Sequence, residues 1–571
     1  MRFRASFFGA LAIAIVLLQP AYGGSLKFTA EVPRPPADLP LLRLTPQPAP
    51  IALVEKLLSD NGAVKLVPLG NNPLLQKYKL KLPESVVGII EEERMRAWVD
   101  RKTGDLAIYT VLSKLEPLSQ ADAGAHLSKA REIFNAAEFI ARDDTRIVVE
   151  ERPNTLYGQT LVRDANGAVR SEKPKTPYLS YISARRFVGE LAVDGPGSRA
   201  LLQLGAKGSV EGLMRVWKSA KTVQKVKTAR SAEQVRNEIA RQFKPVLVSA
   251  DVTVDRIELA YYDSNNRFLQ PVYRFTAQIH YLTMPRTPAR TNDNYVIGYI
   301  PFGSQAYEAL PVLGQSAGPN PGAPPKESKQ KPPGKGASID LLDPTVGRYV
   351  VRNDDAGWVN DANAFWSSLR GTWTGSLFTN SQYYWAEPRL FTNQKNSFVN
   401  SVNLALIEVH GDWFLFSTLQ NCCDLVNING DIPSPGYGPS AGGALATWII
   451  HSCEVVPGPD DTASWPDPWW TIFGGVRNVV GYRTIMYISD GAGGPYGTSL
   501  GNFAPVVSSW LSDVMSLNAY SGHPKAMAHG GINRPMGRPS TISMCGHDGD
   551  TVFPVSTLGR ANCLTVWWFP D

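Results

Sequence analysis

Two apolar runs in the C-terminal half of the chain end in residues that can carry out nucleophilic chemistry. Leu404–Val409 is followed by His410, and Thr447–Ser452 is followed by Cys453. Both runs have the length and composition of buried strands, and neighbouring strands of a sheet lie about 4.8 Å apart. The two side chains are therefore predicted to face one cleft at the carboxyl ends of the strands, where open α/β sheets bind ligands.

A cysteine in such a cleft attacks a carbonyl group as its thiolate, which a neighbouring imidazole helps to form. His410 is then the general acid/base and Cys453 the nucleophile. Gly411 lets a substrate approach the backbone closely, and its N–H, with that of Cys453, can stabilise the oxyanion. His451 is the rival base, because it points to the same side of the strand as Cys453. Side chains two residues apart on a strand are roughly 7 Å apart, however, which is too far for a direct hydrogen bond.

An apolar strand that ends in His-Gly, followed 43 positions later by a Cys at the end of another apolar strand, resembles the caspase–gingipain–legumain class of cysteine peptidases. The resemblance spans Arg348 to Leu517 and is nearest to exported bacterial caspase-like domains of unassigned function. It implies His410 as the acid/base, Cys453 as the nucleophile and Gly411 as an oxyanion donor. Glu454 after the cysteine departs from the caspase pattern, and no specificity pocket is identifiable, so the preferred substrate residue stays open.

The same residues also have a purely structural interpretation. A lone strand cysteine is usually inert core, and His-Gly is a common turn sequence. The alternative function is therefore a catalytically inactive caspase-like domain, or an aromatic-rich module that binds carbohydrate or protein. Twelve of the 14 tryptophans lie after the residue pair Ser338-Ile339, and Trp465, Trp469 and Trp470 are candidates for a stacking platform.

The remaining cysteines and the acidic residues do not point to a cofactor. With Cys453 set aside as a free thiol, four cysteines remain, and an exported protein can form disulfides. The expected bridges join Cys422 and Cys423 each to one of Cys545 and Cys563. The Cys545-Gly546-His547 segment lacks a second ligand pair at zinc-site spacing, and no 12-residue Ca²⁺ loop is present. We therefore expect neither a metal nor a cofactor.

Residues 339–571 are predicted to form the α/β domain that positions these side chains. Ala362, Phe365 and Leu369 have the spacing of one helix face, and Gly371 ends that helix. Strands are predicted on both sides of it and a second amphipathic helix near the end of the domain. Alternating strands and helices imply a mostly parallel sheet that is covered on both faces, as in a caspase-like domain.

Residues 24–313 are predicted to form a β-rich α+β region. Ser231 and Gln234 make a capping box that begins a helix, and two alternating strands follow, around 252–262 and 268–280, joined by a turn. This unit resembles the PepSY type. The segment from Tyr181 to Trp217 resembles the β-rich propeptide regions of secreted peptidases, which implies a role in inhibition or folding.

Two segments mark the boundaries of these regions. Residues 314–338 contain six Pro and five Gly and no aromatic or branched aliphatic residue, which is typical of a flexible linker. Residues 1–23 have a basic start, an apolar stretch over 7–18 and small residues at Ala21 and Gly23, which is typical of an export signal that is cleaved after Gly23. No apolar run of about 18 residues follows, so no transmembrane segment is expected in the mature chain. The expected location is periplasmic or extracellular.

The charge is divided unevenly along the chain. Residues 339–571 carry 11 Lys/Arg and 19 Asp/Glu, a net charge of −8, and the preceding residues carry 46 and 32, a net charge of +14. Because the basic residues are scattered among acidic ones, we expect no nucleic-acid binding. The opposite charges favour contact between the two regions. The sequence therefore predicts an exported cysteine endopeptidase that acts on proteins or peptides and is made as a zymogen, with the N-terminal region as its intramolecular partner.

Overall fold

The computed structural model describes residues 23–570, with gaps at 60–63, 78–79, 81–83, 93, 120–121, 141, 228, 283–292, 314–317, 320–343, 352–356, 419–424, 489–490, 521–526, 530–531, 535–536 and 554–557. The predicted export signal therefore lies outside the described residues except for Gly23, and the predicted linker does so except for Gly318 and Pro319. No helix in the described part of the chain is both long enough and apolar enough to cross a membrane.

The part of the chain before the linker is built mainly from strands. Its described helices are α1 (Ile51–Leu58), α2 (Pro73–Lys77), α3 (Asp122–Asn135) and α4 (Ala232–Phe243). Its described strands are β1 (Leu26–Phe28), β2 (Asp38–Thr45), β3 (Val67–Pro68), β4 (Val86–Glu91), β5 (Arg94–Asp100), β6 (Leu106–Ile108), β7 (Arg146–Val149), β8 (Asn154–Arg163), β9 (Val169–Val188), β10 (Leu191–Asp194), β11 (Arg199–Leu204), β12 (Val210–Val216), β13 (Ser219–Lys227), β14 (Ala250–Asp263), β15 (Phe268–Tyr281) and β16 (Asp293–Pro301).

The part of the chain after the linker combines strands with longer helices. Its described helices are α5 (Gly357–Gly371), α6 (Pro388–Phe391), α7 (Trp469–Ile472), α8 (Gly493–Gly501) and α9 (Val506–Tyr520). Its described strands are β17 (Thr345–Val350), β18 (Thr379–Trp385), β19 (Leu404–Glu408), β20 (His410–Asp412), β21 (Leu415–Ser417), β22 (Leu425–Asn427), β23 (Thr447–His451), β24 (Asn478–Tyr482), β25 (Tyr487–Ile488), β26 (Met527–His529), β27 (Ile532–Arg534), β28 (Pro539–Met544) and β29 (Cys563–Trp568).

The chain is a β-rich α+β protein, and its sheet is mixed and mostly antiparallel. Pairings connect 24 of the described strands. A block of five strands, in the order β18–β17–β19–β23–β24, is parallel, and β28, β29, β8 and β9 continue from it in antiparallel pairs. The prediction of a mostly parallel sheet is therefore not met by the sheet as a whole, because hairpin connections outnumber the crossovers that a parallel pair requires.

Several local predictions are confirmed. Ser231 caps α4 in a full capping box with Gln234. The two strands expected after that helix are β14 and β15, which pair in antiparallel fashion from Ala250↔Tyr281 to Asp263↔Leu269. The helix expected to end at Gly371 is α5. In each case the signal is local, since caps, turns and helical spacing depend on residues within a few positions of one another.

Strands from the two sides of the linker pair with one another. β8 pairs with β29 in antiparallel fashion over six residues, from Cys563↔Val162 to Trp568↔Tyr157. β16 pairs with β25 in parallel fashion through Tyr295↔Tyr487 and Val296↔Ile488. The N-terminal strands are therefore continuous with the sheet that carries the predicted site.

Most of the C-terminal aromatic side chains belong to the core. Trp465, Trp469 and Trp470 are all buried, so in this structure they do not form an exposed stacking platform. Trp510 lies in α9 and donates a hydrogen bond to the Gly481 carbonyl of β24 at 2.9 Å. A buried indole N–H usually needs such a partner, and this one fixes α9 against the parallel block.

The disulfide found in the structure differs from the predicted bridges. Cys545 is bonded to Cys563, with their Cα atoms 5.4 Å apart, whereas the sequence analysis paired each of them with Cys422 or Cys423. The reason is the pairing of β28 with β29, whose register places Met544 opposite Leu564 and so brings the two cysteines together at the end of the ladder. Cys422 and Cys423 lie outside the described residues, and Cys453 is a free thiol.

Candidate functional site

The strands that carry the predicted dyad lie side by side in register. β19 and β23 are parallel neighbours, and Glu408 is the partner of His451. His410 and Cys453 each follow that pair by two residues, at the same edge of the sheet. The structure thus brings the two chain segments together, as the sequence predicted.

Gly411 lies against the segment that carries the cysteine. A Cβ atom at this position would fall 2.7 Å from the Cys453 carbonyl oxygen and would overlap Ser452 Oγ and a Val455 methyl group. Only glycine therefore allows the two strand ends to approach this closely. The role of Gly411 as an oxyanion donor stays a prediction.

The His410 imidazole is buried and held by residues from both regions. It is 2% exposed, and its Nε2 lies 3.3 Å from Nδ2 of Asn294 in β16. Its ring centroid is 5.8 Å from that of Tyr281 in β15 and 5.6 Å from that of Trp358 in α5. Burial lowers the pKa of His410 to about 3, so the ring is neutral and its Nε2 lone pair accepts from the Asn294 amide.

The Cys453 side chain is half-buried. Its Sγ donates a long hydrogen bond, 3.8 Å, to the carbonyl oxygen of Met486, and burial raises the pKa of Cys453 to about 12. The sequence predicts a thiol that a neighbouring imidazole helps to ionise, whereas in this conformation the surroundings favour the neutral thiol. The physical reason is burial, which removes water that would solvate a thiolate.

The backbone immediately after the cysteine is strained. Glu454 has a φ of 57°, in the left-handed region that side-chain-bearing residues rarely adopt, and its N–H donates to the Thr484 carbonyl at 3.1 Å. Strain of this kind costs of order 1–3 kcal/mol and clusters at active sites. This strained residue directly follows the candidate nucleophile, which lies two residues after the end of β23 at His451.

His451, the rival base, is engaged elsewhere. Its Nδ1 lies 2.9 Å from Asp361 Oδ2 and 2.7 Å from Glu408 Oε2. Its ring contacts Tyr482 and Trp510. The imidazole therefore faces two carboxyl groups, and we expect it to belong to that cluster rather than to act on the thiol.

The two carboxyl groups have opposite pKa shifts. Burial raises the pKa of Glu408 well above its usual range. Burial also favours the neutral form of Asp361, but His451, Glu408 and the Gly493 N–H outweigh it and lower the pKa of Asp361. Sequence reasoning missed both residues. The available signal was Glu408 itself, a charged residue within an apolar strand that is buried on both faces.

Residues of the N-terminal region cover the predicted site. Tyr281 ends β15 and Asn294 lies near the start of β16, and both contact His410. The strand pairing of β16 with β25 begins at Tyr295↔Tyr487, one residue after Asn294 and one residue after Met486. The imidazole and the thiol are thus both adjacent to this junction between regions.

A cavity of about 490 Å³ is lined by residues of both regions, including residues of α5. It is lined by apolar side chains such as Trp98 and Tyr262 and by Asp361, Arg199 and Asp513. Neither His410 nor Cys453 lines it. This cavity therefore adjoins the carboxylate cluster and not the predicted dyad.

Comparisons with known proteins assign no activity. Residues 384–534, which include His410 and Cys453, match a family described as a domain of unknown function, DUF6345. No curated protein matches the chain. A crystal structure of an uncharacterized protein from Eubacterium rectale is 11% identical, with a TM-score of 0.23, and the match covers 50% of this chain and 90% of that one. The chain is thus similar, over the segment that carries both predicted catalytic residues, to a family whose function is undescribed.

Proposed function

We propose that this chain is an exported cysteine endopeptidase with a His410–Cys453 dyad, held latent by its own N-terminal region. The observation that carries the proposal is the contact between Asn294 and His410. A side chain from the region that resembles a propeptide occupies a nitrogen of the predicted acid/base. The five-strand parallel block supports a caspase-like core, with His410 and Cys453 following two of its adjacent strands.

Catalysis requires that Tyr281 and Asn294, the residues of the N-terminal region that contact His410, move away from the site. In the uncovered site, water access restores ordinary pKa values, and the imidazole takes the proton of the Cys453 thiol. The thiolate attacks the substrate carbonyl carbon, and the backbone N–H groups of Gly411 and Cys453 hold the developing oxyanion. His410 returns the proton to the leaving amine, and a water molecule then hydrolyses the acyl-enzyme on Cys453.

Loss of the Asn294 contact should loosen the cover slightly. Asn294→Ala removes one buried hydrogen bond, which contributes about 1 kcal/mol. A tenfold change in the equilibrium constant for opening of the site corresponds to about 1.4 kcal/mol. We expect iodoacetamide to label Cys453 about fivefold faster in this variant, measured by peptide mass spectrometry. Gln278→Ala, in β15 at the position opposite Tyr295, is the control and should label like wild type. Equal labelling of the two variants would contradict the proposed role of Asn294.

Cleavage of the linker alone should leave the site covered. β8 and β16 remain paired with β29 and β25 whether or not the chain is continuous over 320–338. To test this, a recognition sequence for a site-specific protease is inserted into the linker and cut. We expect the two fragments to co-elute in size-exclusion chromatography and the rate of Cys453 labelling to stay unchanged. Full activation then needs removal of the N-terminal fragment. Faster labelling upon nicking would show that chain continuity maintains latency.

The second candidate function is a catalytically inactive caspase-like binding domain. The shifted pKa values of His410 and Cys453 favour it, because an inactive domain has no need of a reactive thiol. A screen of peptide substrates that differ in the residue before the scissile bond separates the two. An uncovered variant that exposes Cys453 yet cleaves no peptide would favour the binding domain, and cleavage that Cys453→Ala abolishes would favour the peptidase.

A further inference from the structure

Three elements bring metal-binding donor atoms together beneath the predicted dyad. Asp361 comes from α5, Glu408 from β19 and His451 from β23, and one donor atom of each lies within 4.8 Å of the others. All three side chains are at most 3% exposed. Glu408 follows Asp361 by 47 positions and His451 follows Glu408 by 43, and the rings of Trp358, Tyr482 and Trp510 pack around the His451 imidazole.

In the described part of the chain, no arginine or lysine forms an ion pair with either carboxyl group of this cluster. Among the described residues, the ion pairs of Asp361 and Glu408 are both with His451 Nδ1. Both Glu408 oxygens are buried, Oε2 lies 2.7 Å from that nitrogen, and the carboxyl group also interacts with Asp361. Buried carboxyl groups are normally paired with a cation or bound to a metal.

We propose that Asp361, Glu408 and His451 bind one divalent transition metal ion, with Zn²⁺ as the first candidate. One imidazole nitrogen and two carboxylate oxygens are ligands that Zn²⁺ accepts, at about 2.0–2.2 Å. Ligands around a tetrahedral ion at those distances are roughly 3.3 Å apart, so the observed separations of 2.7 and 2.9 Å require only small outward rotations.

Gly493 positions the Asp361 carboxylate within the cluster. The Gly493 N–H donates to Asp361 Oδ1 and Oδ2 at 3.0 and 3.1 Å. A Cβ atom at Gly493 would lie 2.5 Å from Asp361 Oδ2, so any larger residue would displace this carboxylate. Asp361 also lines the cavity of about 490 Å³, so the cluster adjoins that cavity through this residue.

The site is separate from the thiol chemistry. Trp358 packs against both histidines, with ring centroids 5.6 Å from His410 and 5.8 Å from His451. The Cys453 thiol donates in another direction, to Met486. The metal proposal therefore does not depend on the proposed peptidase activity.

Metal content of the full chain tests the proposal directly. Metal-depleted protein is dialysed against Zn²⁺ and then against metal-free buffer, and bound zinc is measured by mass spectrometry. We expect one ion per chain, a higher unfolding temperature with Zn²⁺ than with EDTA, and binding at least about 100-fold weaker in Glu408→Gln and Asp361→Asn. Asp548→Asn, which alters a buried carboxyl group outside the cluster, is the matched control and should bind like wild type.

Co²⁺ bound to the wild-type chain provides a test that needs no variant. Nitrogen and oxygen ligands give visible d–d bands without a sulfur-to-metal charge-transfer band, whereas binding through Cys453 adds that band. No stoichiometric binding of Zn²⁺, Co²⁺ or Mn²⁺ would overturn the proposal and leave the cluster as a proton-sharing group. A sulfur band, or unchanged binding in Glu408→Gln, would overturn the assignment of the ligands.

Discussion

Tyr281→Ala should increase the labelling rate of Cys453 by about 100-fold or more. Tyr281 is 1% exposed and packs against His410 from the N-terminal region. Truncation of a large buried aromatic side chain typically costs about 3–5 kcal/mol, and 3 kcal/mol corresponds to more than about 100-fold in an opening equilibrium. Iodoacetamide labelling under native conditions, with mass spectrometry of the Cys453 peptide, measures the change.

The controls for this variant separate local opening from global unfolding. Tyr281→Phe keeps the ring and should label close to wild type. A variant with similar loss of global stability, but altered far from the dyad, should label Cys453 more slowly than Tyr281→Ala at the same urea concentration. Labelling of Tyr281→Ala at the wild-type rate would mean that the N-terminal region does not restrict access to the thiol.

Arg199→Met should lower the free energy of unfolding by about 3–5 kcal/mol, because it leaves a buried carboxylate without its cation. Arg199 Nη1 lies 3.1 Å from Asp513 Oδ1 and 3.1 Å from Ser516 Oγ, and it joins β11 of the N-terminal region to α9. The Arg199 and Asp513 side chains are 7% and 0% exposed. Urea unfolding followed by tryptophan fluorescence measures the loss.

Two further variants identify the cause of that loss. Arg199→Met with Asp513→Leu replaces both partners by apolar groups, and we expect it to recover most of the stability. Arg146→Met breaks the exposed Arg146–Glu190 pair, whose side chains are 52% and 89% exposed, and should change stability by less than about 1 kcal/mol. Equal losses of unfolding free energy for Arg199→Met and Arg146→Met would show that burial of the ion pair does not determine its contribution to stability.

The sequence by itself determined the local elements of this protein. The capping box of Ser231, the β14–β15 hairpin and the helix that ends at Gly371 were all predictable, because each depends on residues within a few positions of one another. The adjacency of His410 and Cys453 was also predictable, since each ends an apolar strand and parallel strands end at one edge of the sheet.

Only the tertiary structure decided how these elements combine. The pairing of β8 with β29 and of β16 with β25 joins residues hundreds of positions apart, and no periodicity in the chain specifies such long-range register. The β8–β29 pairing extends the parallel block in antiparallel fashion, and the β16–β25 pairing lies next to Asn294, which contacts His410 as Tyr281 does. The disulfide between Cys545 and Cys563 depends instead on the pairing of β28 with β29. The state of the dyad follows from the same contacts, because burial by a distant segment sets whether an imidazole and a thiol can ionise.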